Sequence, residues 1–475
     1  MTGLMGPSIL ARVVAVALLM ALAVRVVDAQ STGTAPAPAL PDLGTSAAGT
    51  SAPPAAVMPA DAAQTIDLAA ALRLAGLNNL DLALVRAAQS SAQAVNDAAT
   101  MQFFPWLSAG ASYSQHSGAT TEVGELVEEN SQLAARGAAL NEQVRLGDAI
   151  LEKLAARQRA RAAGYDVEAS RNDTAFAAAS AYFDLVNAVA TTEIAAEAVR
   201  ISQQYEDELE RAYQAGLTNR SEVLRISVQT QRYRVTQRQA QAMVRSQSAA
   251  LATLLRLDPA ADLQPTERIV NPPTLVEVDI PVQTLIQQAL AYRPEAKSSQ
   301  ATIAAMDKDR VAAKFGPLIP SLTGQAALSQ LRGGQDDVLR GYWTAHDYIV
   351  ALNWRFGPGG LFDFSRIEAA NSALQTARLR AEKIHDDIAE QVVQAYEAAR
   401  ASLDQMRLAR HAVELADQSL TLSRQRREFG VYAVLEIIQA QQDLTQSRSD
   451  YAQALTQYAK AQYALARATA RIGAP

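Results

Sequence analysis

A chain of 475 residues that is 49% hydrophobic but only 5% aromatic, with 23 glycines and 18 prolines, is too long for one ordinary globular core, so two similar units or an elongated architecture are expected. The absence of cysteine excludes a disulfide scaffold, a thiolate metal site, a cysteine nucleophile and a lipidated N-terminal cysteine together. His116, His346, His385 and His411 never stand at HxxxH or HExxH spacing, and the formal charge of −6 gives no basic surface for nucleic acid. No metal, no cofactor and no catalytic constellation is expected, and the chain reads as a non-enzyme.

Residues 1–29 read as a cleaved signal peptide: Arg12 supplies the positive start, Val13 to Val24 is a short apolar run, and Val27-Asp28-Ala29 precedes Gln30 with small residues at the cleavage positions. That run is shorter than the ~18 residues a spanning helix needs, and no longer one is expected downstream, so a membrane crossing would have to use β-strands. Residues 30–65, rich in Pro, Ala, Thr and Ser, read as a tether.

Residues 66–257 form a first repeat, residues 258–281, broken by Pro259, Pro265, Pro272, Pro273 and Pro281, a linker, and residues 282–475 a second repeat. Each repeat begins with a helical pattern, Leu68 to Met101 and Val282 to Lys314, ending before a proline. A strand-like stretch follows. Leu107, Ala109, Ala111 and Tyr113 alternate with small or polar residues, as do Tyr348, Val350, Leu352, Trp354 and Phe356 in the second repeat. Such alternation over about ten residues suits a strand with lipid on one face and a lumen on the other.

The partner of the first strand falls near Ala138 to Leu146, where Glu142 shares a face with Leu140 and Val144; the stretch from Glu122 to Arg161 also reads as helix. Next comes a long apolar stripe stepping by threes and fours from Phe176 to Ala212, matched by another from Ile388 to Leu420. Counted from Asp148 to Ala215, one uninterrupted helix would be roughly 100 Å long. Each long helix ends at a glycine, Gly216 or Gly430, and a returning helix, Arg220 to Leu257 or Ala433 to Ile472, completes an αα-hairpin.

This duplicated order, carried by Phe104-Pro105-Trp106-Leu107-Ser108, Ile319-Pro320-Ser321-Leu322-Thr323, Ala181-Tyr182-Phe183-Asp184-Leu185, Gln394-Ala395-Tyr396, Ala215-Gly216-Leu217-Thr218 and the run from Gly430 to Gln441, resembles the outer-membrane efflux protein family, the TolC-like channels. The resemblance implies a mostly α fold with a transmembrane β part. In such a homotrimer, each chain gives four strands to a 12-stranded barrel that continues into a long periplasmic α-helical barrel. It implies an outer-membrane protein with a large periplasmic portion, working with a periplasmic adaptor and an inner-membrane pump as a passive, gated export conduit. Gly216, Leu217, Thr218, Gly430 and Val431 would form the adaptor-docking tip. Glu222 and Glu436, six residues after the glycines, would ring the mouth, with Arg427 and Tyr432 as latch residues. A rival from another class is a soluble periplasmic coiled-coil scaffold or adaptor, supported by the long helices; an exported hydrolase has no organised nucleophile or metal set to support it.

Overall fold

The computed structural model describes residues 64–122, 125–268, 272, 274–335, 342–428 and 434–472. A short strand β1 (Gln64–Ile66) leads into α1 (Leu68–Asn78) and α2 (Leu80–Met101). The hairpin of β2 (Trp106–Glu122) and β3 (Glu125–Arg145) passes directly into α3 (Leu146–Gln214), and α4 (Arg220–Leu255) returns. After β4 (Leu263–Pro265) the order recurs as α5 (Val282–Tyr292), α6 (Pro294–Phe315), β5 (Ser321–Gln335), β6 (Trp343–Asn353), α7 (Phe364–Glu428) and α8 (Val434–Ala468).

The chain divides into two units. The described part of one comprises Ser91–Ala160 and Thr302–Ala377, which hold the four-stranded sheet and the helix ends that feed it. Its strand order is β2-β3-β5-β6, every neighbour antiparallel, so the two hairpins join side by side. All four strand ends that connect to helices lie at the same end of this sheet, because Arg145 pairs Ser321 and Ser321 pairs Asn353. At that end Gly147 and Gly316 touch through their backbones: a Cβ on Gly147 would meet the Gly316 carbonyl oxygen, and one on Gly316 would meet Asp148 Oδ1. Asp148, buried there, is held by Arg145 at 3.2 Å and Arg366 at 3.1 Å.

The described part of the other unit, which draws on Arg161–Ala301 and Arg378–Pro475, is mainly helical and holds the parallel pair β1–β4. Its core is built around Tyr182, Phe183 and Leu185 of α3, Leu251 and Leu255 of α4, and Ala459 and Tyr463 of α8. The Phe183 ring stands 5.9 Å from Tyr182 and 5.6 Å from Tyr463, edge-on or tilted. Burying each such ring contributes about 2–3 kcal/mol. Buried Ala178, Ala179 and Ala252 leave room for the helices to approach closely.

Several expectations are corrected. The first helical pattern of each repeat is two helices. In the first repeat Asn79 stops α1 and its Oδ1 accepts from Leu82 N at 3.1 Å, capping α2. In the second, Pro294 bars Arg293 from helical backbone and opens α6 at its first position. Arg293 is buried with only 4% of its side chain exposed, bonded to Glu295 at 2.5 and 3.1 Å and to Gln391 Oε1 at 2.8 Å. Contrary to the expectation of no further apolar span, Leu68–Met101 is apolar enough by composition to cross a membrane, with a mean hydropathy of 1.4 in its best window. Its break at Asn79 and the burial of Ala71 and Ala75 in the core show instead why alanine dominates there.

Residues 125–145 are strand and not helix, so β3 is far longer than the stretch from Ala138 to Leu146. Gln64 and Thr65, placed in the tether, pair with Leu263 and Gln264 of the linker. Trp354 and Phe356 lie beyond the strand: β6 ends at Asn353 because β5 begins at its partner Ser321, and the turn Gly357-Pro358-Gly359-Gly360 follows. Trp354 Nε1 instead donates to Leu318 O at 3.3 Å, and Phe356 stacks on Phe362.

Candidate functional site

Two features of the chain bear on function: the turn region of the helical hairpins and the two faces of the sheet. At the first hairpin Gly216 has φ +73°. Gly216 N–H donates to Tyr213 O and Leu217 N–H to Ala212 O, both at 2.9 Å, which is the Schellman closure of α3. No atom lies within 4 Å of where a Cβ would sit, so it is the left-handed backbone, not crowding, that requires glycine here. Leu217 beside it is 68% exposed. Gly430, Val431 and Tyr432 lie outside the described residues, as does the side chain of Arg427.

Glu222 and Glu436 both occupy the first turn of a returning helix, where the helix dipole favours a carboxylate. Glu222 pairs with Arg225 of its own helix, 3.1 Å away. Glu436 reaches across its hairpin: its Oε1 stands 3.0 Å from Arg426 Nη1 and 3.4 Å from Ser423 Oγ. A further contact links the two hairpins, since Arg424 Nε of α7 donates to the Tyr205 hydroxyl of α3 at 3.0 Å. Below it Tyr205 packs against two apolar clusters, one containing Ile226 and Ile438, the other Leu420, Ile437 and Leu444. Sequence reasoning missed Tyr205, Arg424 and Arg426. A tyrosine on an apolar stripe and two arginines in a basic run carry no distinguishing pattern.

The register of the sheet sorts its side chains, since alternate residues of a strand face opposite ways. One face carries Leu107, Leu140, Val144, Leu322, Leu328, Val350 and Leu352 with alanines between them. The other carries Ser108, Ser112, Asn141, Gln143, Thr323, Gln325 and Asn353, with Asp347 and the apolar Trp106, Leu331 and Ile349 among them. On this second face Gln325 Nε2 donates to Asn141 Oδ1 at 3.1 Å, and Asn141 Nδ2 donates to Ser108 Oγ at 2.9 Å, a chain of neutral bonds across three strands. Tyr348, Val350 and Leu352 share the face of Leu322. Glu142, which alternation puts on that face too, is 8% exposed and lies near the helix-proximal end of β3.

Among the described residues no group of three or more histidine, aspartate or glutamate side chains could hold a metal ion.

Residues 285–471 match the outer membrane efflux protein family. No curated protein sequence matches the chain significantly. Among solved structures, the outer membrane protein VceC from Vibrio cholerae superimposes with a TM-score of 0.71 at 17% identity, covering 85% of this chain and 95% of that one. The Campylobacter jejuni CmeC outer membrane channel gives 0.70 at 20% identity over 86% of each chain. The open state of the Neisseria gonorrhoeae MtrE outer membrane channel gives 0.66 at 16% identity, covering 85% and 88%. Residues 285–471 are thus similar to the outer membrane efflux protein family, and the chain as a whole shares the fold of these outer-membrane channels.

Proposed function

We propose that this chain is the outer-membrane channel of a tripartite export system, a passive gated conduit that receives cargo from an adaptor and an inner-membrane pump. The observation that carries this reading is the four-stranded sheet: its register sets a row of aliphatic residues on one face and the chain Ser108-Asn141-Gln325 on the other, and among the described residues strands β2 and β6 each have one neighbour. An open sheet edge is not tolerated in lipid, and four strands are too few to close on themselves. Three copies supply the 12 strands of a closed barrel, with the apolar face toward lipid and the Ser108-Asn141-Gln325 face toward the lumen. The helices then occupy the periplasm after a signal peptide is removed.

In this reading the hairpin turns at Gly216 and Gly430 are the tips that dock the adaptor, and Glu222 and Glu436 sit at the periplasmic mouth. Three copies of each carboxylate favour cations there and make the mouth sensitive to multivalent ions. The Tyr205–Arg424 bond holds α3 to α7, so the hairpins part only when it breaks. A soluble scaffold would have no use for a sheet that sets Leu107, Leu140, Leu322 and Val350 on one face.

The test is imaging by negative stain of the protein extracted from the outer-membrane fraction in detergent, with its particle mass. A hollow three-chain cylinder is expected. A detergent-independent monomeric or dimeric rod would refute the channel and favour the scaffold.

A further inference from the structure

The apolar face of the sheet ends in a basic cluster that the conduit itself does not require. Arg136 of β3 and Arg332 of β5 lie on that face, one row apart in the register, since Arg136 pairs Gln330 and Arg332 pairs Ala134. The Arg136 guanidinium lies 4.4 Å from the centroid of the Tyr342 ring and that of Arg332 5.7 Å from it, so one ring carries two cations. Arg136 Nε also donates to Gln330 Oε1 at 2.9 Å, which fixes the plane of its fork. Both arginines are on central strands, so the cluster is complete within one protomer.

Its height on the sheet identifies its surroundings. Counting along β3 from Val144 to Arg136, and along β5 from Leu322 to Arg332, the arginines stand about 26 and 33 Å up the strands at 3.3 Å per residue. With a strand tilt near 40° this is about 20 to 25 Å along the membrane normal, the height of the apolar band of such a barrel. The strand ends joined to helices lie at the opposite end of the sheet, so the cluster sits at the outer rim of that band. Tyr113, paired with Ala134 in the same row as Arg332, supplies a second aromatic ring at this level. Two guanidiniums held on a ring beside lipid tails, at headgroup height, suit an oxyanion, and the phosphate ester of a lipid headgroup supplies one at that height for an arginine fork to bind bidentately.

We infer that Arg136, Arg332 and Tyr342 form a binding site for the phosphate of an anionic lipid of the outer leaflet. The inference rests on the channel reading, because only a barrel seated in the outer membrane puts this face against lipid.

The experiment uses full-length protein purified in detergent and offered bisphosphorylated lipid A, its dephosphorylated form, or inorganic phosphate, with bound lipid counted per particle by native mass spectrometry. The wild type is expected to retain the phosphorylated lipid in preference to the dephosphorylated one, and millimolar inorganic phosphate should not displace it. The R136Q/R332Q variant should bind it roughly tenfold or more weakly while remaining a trimer. Tyr342→Leu, which leaves both strands intact, should weaken retention by less, and this variant decides the matter if the double variant does not assemble. Undiminished retention in an assembled variant, or displacement by inorganic phosphate alone, would overturn the lipid site and leave the channel standing. A wild-type particle that is not a detergent-borne trimer would overturn the channel first.

Discussion

Replacing Tyr205 by phenylalanine removes one hydroxyl from the contact between the two helical hairpins and leaves the ring packed among Leu209, Val223, Ile226 and Ile438. Arg424 Nε loses its acceptor at 3.0 Å. A hydrogen bond to a charged group is worth about 1.5–3 kcal/mol when buried, but this one is exposed to solvent, which reduces it to about 1 kcal/mol. If the three protomers of the channel open together, the losses sum to about 3 kcal/mol, about a 150-fold shift of the closed-to-open ratio. Protomers opening independently would each shift about fivefold. Single-channel recording of Tyr205→Phe in planar bilayers reads this directly as open probability and conductance, and the size of the shift distinguishes concerted from independent opening. The same resting conductance and open probability as wild type would refute the idea that this contact holds the mouth.

Three further outcomes are expected. Glu436→Gln removes the Arg426 partner from an exposed pair, so stability should change by less than about 1 kcal/mol, whereas block of the channel by multivalent cations should weaken; unchanged block would take Glu436 out of the mouth. Gly216→Val puts a β-branched residue at φ +73° and should cost at least about 1–2 kcal/mol in the tip turn, seen as lost adaptor capture in a pull-down; full capture would sink the docking assignment. Glu295→Gln leaves the buried Arg293 with Gln391 alone and should cost about 2 kcal/mol, below the full value for a buried pair because Glu295 is 31% exposed. Burial, the largest single influence, pushes the Glu295 carboxyl up, but the Arg293 hydrogen bonds, a backbone hydrogen bond and the charges of Arg293 and Arg467 together outweigh it and hold it below its ordinary 4.5. Its stabilisation is therefore complete above pH 4.5 and lost as the pH falls through the depressed value. Thermal unfolding of wild type should show this acid limb and Glu295→Gln should not; parallel curves would refute it.

The long helices were plain in the sequence because nothing interrupts them: no proline or glycine cap stands between Asp166 and Ala215, and Gly216 closes the helix by the backbone geometry that a glycine at that place suggests. The breaks at Asn79 and Arg293 were legible in part. Pro294 forbids helix at the residue before it, but Asn79 stops a helix only because its side chain caps the next one, which composition does not distinguish from an asparagine on a helix surface. Residues 125–145 looked helical because Glu128, Glu129 and several alanines favour helix, and pairing with strands on both sides overrode that preference. Trp354 and Phe356 keep the alternation of a strand, yet a strand ends where its neighbour starts, and the start of β5 is a fact of register. The contacts of Glu436 and Tyr205 depend on which helices become neighbours, information that no local pattern holds.

The bonds among Ser108, Asn141 and Gln325 have a consequence for transit. Side-chain amides that engage one another spend their hydrogen-bonding capacity on the wall itself and have correspondingly less to offer a passing solute. Asp347, paired with Ala327 in the same row as Ser108 and Ala139, sets a carboxylate on that face, so in the proposed channel the wall beside these neutral side chains still carries a fixed negative charge. In the proposed channel a neutral solute would meet little grip at these rows, whereas a cation would meet the Asp347 carboxylate, so this part of the wall would sort solutes by charge and not by shape.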